Sequence, residues 1–185
     1  MPYCFQEFDT AKTAVDALIQ VLTPMINVAT NPAMVFDIDE TLIFNHPSDE
    51  EQFTKNQPVI DLYNWGVAHK IDMFIVTARP KEEANAEWTK KILDKCKITT
   101  YKRIYYKPKD YEDQCSSQAK WRYRERINNT HGHKILVSVG DKWGDLLDME
   151  DKVNIAFTDQ MNNSTFHIIS GDDWSTFGLK LKDLE

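Results

Sequence analysis

The residues best equipped for chemistry stand where apolar runs give out. Asp37-Ile38-Asp39-Glu40-Thr41-Leu42 follows Ala33 to Phe36, Thr77-Ala78-Arg79-Pro80 follows Ile71 to Val76, and Gly140-Asp141-Lys142-Trp143-Gly144-Asp145 follows Ile135 to Val139. If these runs are neighbouring strands, their ends share one edge and the carboxylates of Asp37, Asp39, Asp141 and Asp145 converge. Two unit charges about 4 Å apart repel by roughly 4 kcal/mol at an effective dielectric of 20, so such a cluster needs protons or a cation. Oxygen ligands without His or Cys suit a hard ion, and a few carboxylates completed by water and phosphate suit Mg²⁺ better than a Ca²⁺ cage.

A carboxylate held beside such an ion can attack phosphorus and form an acyl phosphate that water later hydrolyses. Asp37 is the candidate nucleophile. Asp39, two residues on, is within reach of the leaving oxygen and then of water, provided its acidic neighbours raise its proton affinity. Thr77 offers a hydroxyl and nearby backbone N–H groups to phosphoryl oxygens, and Lys120 supplies a fixed positive charge. Each residue alone has an ordinary reading: Thr77 a strand-end cap, Lys120 a solvated helix lysine, Asp141 and Asp145 helix caps. A calcium loop is excluded by Leu42, where its sharp turn requires glycine. A sugar-nucleotide transferase would leave Thr77, Lys120 and the Gly140-Asp141 loop unexplained.

The positioning elements alternate between helical and extended patterns. Val15, Leu18, Ile19 and Leu22 predict a helix over about 9–22, and Pro58 opens a second that runs to about His69. Helices are also expected over 81–95, 117–128 and 144–149, with strands over 33–36, 71–76, 103–106, 135–139 and 153–157. The stretch 44–57 reads as a polar connection, and the tail with Trp174 and Phe177 as packing back on the body. Continuous apolar strands separated by helices imply an α/β fold with a mainly parallel sheet covered on both faces. In such folds ligands sit beyond the carboxyl ends of the strands.

These segments, in this order, resemble the four motifs of the haloacid dehalogenase (HAD) superfamily. Asp37 to Leu42, the Thr77-Ala78-Arg79-Pro80 turn and the Gly-Asp-x-Trp-x-Asp-Leu-Leu run are most similar to its plant and bacterial acid phosphatases. The likeness covers about residues 30–160. It implies a Rossmann-like three-layer sandwich and phosphomonoester hydrolysis through an aspartyl phosphate on Asp37. Substrate would be bound by Thr77, Ala78, Arg79 and Lys120. Mg²⁺ would be held by the Asp37 side chain, the Asp39 carbonyl and Asp141, with Asp145 supporting it directly or through water. Two features depart from that branch: Ala78 stands where glycine is frequent, and no leader segment is visible. Some relatives have lost the nucleophile and serve as storage proteins, whereas Asp37 is intact.

At 185 residues, 42% apolar and 28% charged, the chain is expected to form one domain over 1–185. A net charge of −7 disfavours a general polyanion binder. Positive charge concentrates at Lys102, Arg103, Lys107 and Lys109, and at Lys120, Arg122, Arg124 and Arg126, read as one helix face. Cys4, Cys96 and Cys115 lack a CxxC pair and fit reduced thiols. The first residues show no basic region followed by an apolar run, so a cytosol-like compartment is expected. Neither 42–57 nor 78–119 has room for an inserted cap domain, which predicts a capless, open site. Its substrate class stays open among small esters, nucleotides and phosphorylated macromolecules, as does a phosphotransferase or a silent phosphate-binding module on the same site. Tyr101, Tyr105, Tyr106 and Tyr111 offer base stacking or, more simply, an edge strand with amphipathic tyrosines at a surface or at the contact of a homo-oligomer. His131 and His133, in a polar turn, are not expected to bind metal.

Overall fold

The computed structural model describes residues 5–46, 49–108, 116–147, 165–171 and 173–182. Its strands are β1 (Phe5–Phe8), β2 (Pro32–Phe36), β3 (Ile43–His46), β4 (Asp49–Lys55), β5 (Asp72–Pro80), β6 (Arg103–Lys107), β7 (Lys134–Gly140), β8 (Phe166–Ser170) and β9 (Ser175–Lys180). Its α-helices are α1 (Ala11–Leu22), α2 (Gln57–Ala68), α3 (Glu83–Lys95) and α4 (Ser116–Glu125). A π-helical turn, Arg126–Thr130, extends α4.

A seven-stranded sheet has the order β1-β8-β9-β7-β2-β5-β6. From β9 to β6 every pairing is parallel, while β8 and β1 add antiparallel partners at one side. Strand alternation distributes β2 between two cores. Met34 and Phe36 face Leu18 and Leu22 of α1, Leu62 and Tyr63 of α2 and Ile92 of α3, whereas Ala33 and Val35 face Phe74, Val76, Tyr105 and Ile127 on the other side. The sheet is therefore the middle of three layers, with α1, α2 and α3 on one face and α4 on the other. α1 starts at Ala11 behind a capping residue, the Thr10 side chain accepting from the Thr13 N–H at 3.2 Å.

Because β7, β2 and β5 are parallel neighbours, their carboxyl ends bring the three motif segments side by side, although Thr77-Ala78-Arg79-Pro80, expected as a loop after its strand, forms the last residues of β5, with a register irregularity between Val76 and Pro80. The other differences lie elsewhere. Residues read as a polar connection form the β3/β4 hairpin, whose Ile43 is fully buried while the strands themselves are largely polar. The supposed tail is structural: β9 pairs with β7 from Ile135↔Ser175 to Gly140↔Lys180. Its Ser-Thr-Phe-Gly-Leu-Lys sequence hides this, because a Cβ on Gly178 would come within 2.9 Å of Ile169, so close packing demands glycine where strand propensity is poor. The helix expected over 144–149 is a 3₁₀ turn, Trp143–Asp145, with 148–149 outside the described residues. The strand expected over 153–157 also lies outside them, as do Cys4, Lys109, Tyr111 and Cys115. Among the described residues the segments that could carry a cap hold the β3/β4 hairpin and, after β5, α3 and β6. No helix among the described residues is long and apolar enough to cross a membrane.

Candidate active site

Asp37 leaves β2 directly, its N–H donating to the Val139 carbonyl of β7 at 3.0 Å. Glu40 takes a left-handed φ of 52° and turns the chain sharply back toward β3. That conformation costs a non-glycine residue on the order of 1 kcal/mol or more. It is fastened by Asn45, whose backbone N–H and side-chain amide donate to Glu40 Oε1 at 3.0 and 3.2 Å. On β7 the chain ends at Gly140, where a Cβ would lie 2.2 Å from Asp145 Cβ and Oδ2; the absent side chain is what lets Asp145 fold back over the strand end. The Lys142 N–H donates to Asp145 Oδ2 at 3.1 Å and completes this turn.

The carboxylates of Asp37, Asp141 and Asp145 each offer an oxygen within 4.8 Å of the others, and all are buried. α4 runs past them. Lys120, itself buried, donates from Nζ to Asp145 Oδ1 and lies 3.2 Å from Asp37 Oδ1. Four residues on, Arg124 is 1% exposed and donates to the Gly144 and Asp145 carbonyls at 3.2 and 2.8 Å. Lys120 and Arg124 share the inward face, while Arg122 and Arg126 are exposed on the opposite one. The basic run is thus two faces, because alternate residues on a helix diverge and those four apart coincide. Arg124 is the site residue the sequence reading missed, and its spacing from Lys120 was the available signal.

Burial pushes the Asp37 carboxyl well above the usual range, and Asp145 and Asp39 add to the rise against the pull of Lys120. Asp141 is raised to about 6, by burial and then by Asp145. Burial disfavours the Lys120 ammonium, but Asp145 and Asp37 outweigh it and hold the proton above the ordinary lysine value. Asp37 Oδ1 accepts no well-aligned hydrogen bond. Three buried acids face one buried ammonium, with the half-exposed Lys142 ammonium 3.9 Å from Asp141, so negative charge is left uncompensated, and with oxygen as the only donor type the cluster fits a hard divalent cation.

Asp39 departs from expectation. Its carboxylate stands apart from the buried three, held by Arg79, whose Nε and Nη2 donate to Oδ2 at 2.9 Å and Oδ1 at 2.6 Å, and by the Asn45 amide at 3.0 Å. Burial pushes this carboxyl up, but the Arg79 hydrogen bonds and charge outweigh it, so the net shift is downward. The anticipated rise from acidic neighbours is corrected: the guanidinium is nearer than the acids. Thr77 is buried at the end of the β5 core, accepting the Arg79 N–H at 3.2 Å, while Ala78 is exposed at the edge.

Of the remaining candidates, Tyr105 is buried, stacked on Tyr123 at 4.7 Å with its hydroxyl 3.0 Å from His131 Nε2, so it serves packing. His133 lies 3.7 Å from Asp72, apart from the acidic cluster. Trp143, 7% exposed, carries the Lys180 ammonium 5.3 Å from its ring centroid and braces the motif loop from behind.

A parallel α/β sheet with acidic loops on its carboxyl edge and a buried lysine facing them defines a phosphohydrolase of Rossmann-like architecture. More particularly, the chain belongs to the HAD superfamily, subfamily IIIB (acid phosphatase), whose sequence profile matches residues 3–168. No curated protein sequence matches significantly. Among solved structures, the class C acid phosphatase from Bacillus anthracis with tungstate bound is similar with a TM-score of 0.64 at 18% identity, covering 80% of this chain and 70% of that one. A second structure of that enzyme gives 0.58 at 19% identity, covering 80% and 72%. A chain of the Pnkp1/Rnl/Hen1 RNA repair complex gives 0.52 at 18% identity over 62% of this chain, which spans only 37% of that longer one. At these identities the likeness is one of fold.

Proposed function

We propose that residues 1–185 form one HAD-type domain that hydrolyses phosphomonoesters with Mg²⁺, through an aspartyl phosphate on Asp37. The observation that carries this reading is the Asp37, Asp141 and Asp145 cluster, with oxygens within 4.8 Å of one another and the Lys120 ammonium between Asp37 and Asp145. Asp37, Asp141, Asp145 and the Asp39 carbonyl would hold the ion. When bound, Mg²⁺ supplies positive charge that keeps the buried acids ionised and screens a phosphoryl group from them.

A carboxylate oxygen of Asp37 attacks phosphorus, and the bond to the leaving oxygen breaks with its electron pair; the proton it takes comes through Asp39, which Arg79 holds ionised in the free site and which the incoming phosphomonoester monoanion therefore loads. Water then attacks the acyl phosphate, giving its proton back to Asp39 and releasing Asp37 and phosphate. Lys120 balances charge on the phosphoryl oxygens throughout, and Thr77 with the Ala78 and Arg79 backbone forms the strand end that receives them. The tungstate in the Bacillus anthracis enzyme supports an oxyanion ligand for this architecture.

Asp37→Asn tests the reading. Release of nitrophenol from nitrophenyl phosphate should require Mg²⁺ and fall by at least about 10⁴-fold in the variant, with its circular dichroism unchanged. Full activity in Asp37→Asn excludes the covalent route, and binding without turnover by the wild type makes the chain a phosphate-binding module. Extending the assay to phosphorylated metabolites, nucleotides, oligonucleotide ends and phosphopeptides, with added alcohols as acceptors, separates hydrolase from phosphotransferase and assigns the substrate class.

A further inference from the structure

Arg79 is fastened at both ends of its side chain. Its backbone N–H donates to Thr77 Oγ1 at 3.2 Å, its Nε and Nη2 grip Asp39, and its Nη1 donates to Thr89 Oγ1 at 3.1 Å. Thr89 lies on α3, a layer away from the motif loops, and is fully buried. Its hydroxyl also meets the Tyr106 hydroxyl of β6. On the face of α3 that carries Ile92 and Leu93 into the core, Thr89 is a buried hydroxyl whose polar partners are Arg79 and Tyr106. A buried Val would fill the same volume, and burying a hydroxyl costs free energy unless it is hydrogen-bonded.

We infer that Thr89, acting through Arg79, is a positioning residue for the Asp39 carboxyl. A guanidinium is a planar fork with donors in fixed directions, so fixing Nη1 on Thr89 aims Nε and Nη2 and sets where Asp39 stands relative to Asp37. Asn45 holds the same carboxylate from the hairpin side, and Asp39 is thereby set between two rigid supports. Sequence alone does not show the link, since Thr89 lies outside all four motif segments and ten residues from Arg79.

The inference rests on Asp39 protonating the leaving oxygen, and leaving-group chemistry tests it. An alkyl phosphate needs that proton, whereas a nitrophenolate departs without it. Thr89→Val, which replaces the hydroxyl by a methyl of similar volume, should lower kcat/KM for an alkyl phosphate about tenfold, a fraction of the 10²–10⁴ supplied by general acid catalysis. For nitrophenyl phosphate kcat/KM should stay within about twofold, and Thr89→Ser should restore the alkyl rate, because the position of the acid and not its chemistry is altered. Equal losses on both esters, or none on either, overturn the inference. A second measurement does not depend on turnover: ¹⁵N resonances of the Arg79 guanidinium should be separate and slowly exchanging in the wild type, and in Thr89→Val the Nη1 resonance should shift and broaden while Nη2 stays held by Asp39. Identical Arg79 signals in the two proteins overturn the assignment. A wild type that cleaves neither ester refutes the phosphatase reading instead, and the guanidinium signals still decide whether Thr89 holds Arg79.

Discussion

Asp141 shows what the acidic cluster does to the protein that carries it. Its carboxyl titrates near 6 in the fold against 3.8 ordinarily. The protonated form is favoured by the native state, so the unfolded chain ionises first as pH rises. The associated stability is fully present below about 4, declines as pH climbs through about 6, and a shift of this size is worth about 3 kcal/mol. Metal-free Asp141→Asn, permanently neutral, should therefore match the wild type in thermal unfolding near pH 4 and exceed it by up to that amount at pH 7. Added Mg²⁺ should raise the wild-type midpoint at pH 7 and leave the variant's unchanged. A wild type at least as stable as the variant at neutral pH without metal would show that Lys142 and Lys120 already balance Asp141. At this scale the sequence was most legible where charge had to be explained: Asp37, Asp141, Asp145 and Lys120 meet as their types demanded. It was least legible where a partner lay on another element. Nothing near Asp39 in the chain announces Arg79, and nothing near Arg124 announces the carbonyls of residues 144 and 145.

At the scale of elements, glycine permits the turn that makes the site. A Cβ at Gly140 meets Asp145 Cβ at 2.2 Å, and Cβ is too near the backbone to swing aside. By contrast, a Cβ at Gly66 on α2 meets Met34 Sδ at 2.8 Å and the Met73 thioether beyond 3 Å, both flexible. Gly140→Ala should displace Asp145 from Lys120, cost about 1–3 kcal/mol as an overpacked substitution, and weaken Mg²⁺ binding measured by calorimetry. Gly66→Ala should leave Mg²⁺ binding unchanged, its lost helix-glycine penalty offsetting a small repacking cost. Equal effects of the two would mean that the close approach at Gly140 does not hold the proposed metal site. The helices and parallel strands were readable because burial on both faces imposes continuous apolar runs and 3.6-residue periodicity on them. The β3/β4 hairpin escaped because it lies outside the central sheet, and only Ile43 of its first strand is fully buried while Asn45 turns to the Glu40 and Asp39 side chains.

For the whole molecule, the placement of β9 matters most. It lies between β8 and β7, beyond the end of the family match at residue 168, yet Leu179 and Leu181 are buried and the Leu181 N–H donates to the Gly140 carbonyl at 2.8 Å. Removing it would open an edge on β7, separate β8 and β1 from the parallel strands, and strip two leucines from the core. At about 1.5–3 kcal/mol for each fully buried aliphatic side chain, the leucines alone approach the total stability of a small domain. A chain ending at Gly171 should therefore lose its cooperative thermal transition by circular dichroism and expose apolar surface to a fluorescent dye. The strand end carrying Asp141 would lose its lateral support with it, so Mg²⁺ should no longer protect the truncated chain from unfolding. Retention of a sharp transition within a few degrees of the full chain would show that β7 can stand as an edge strand and that the last residues only cover it.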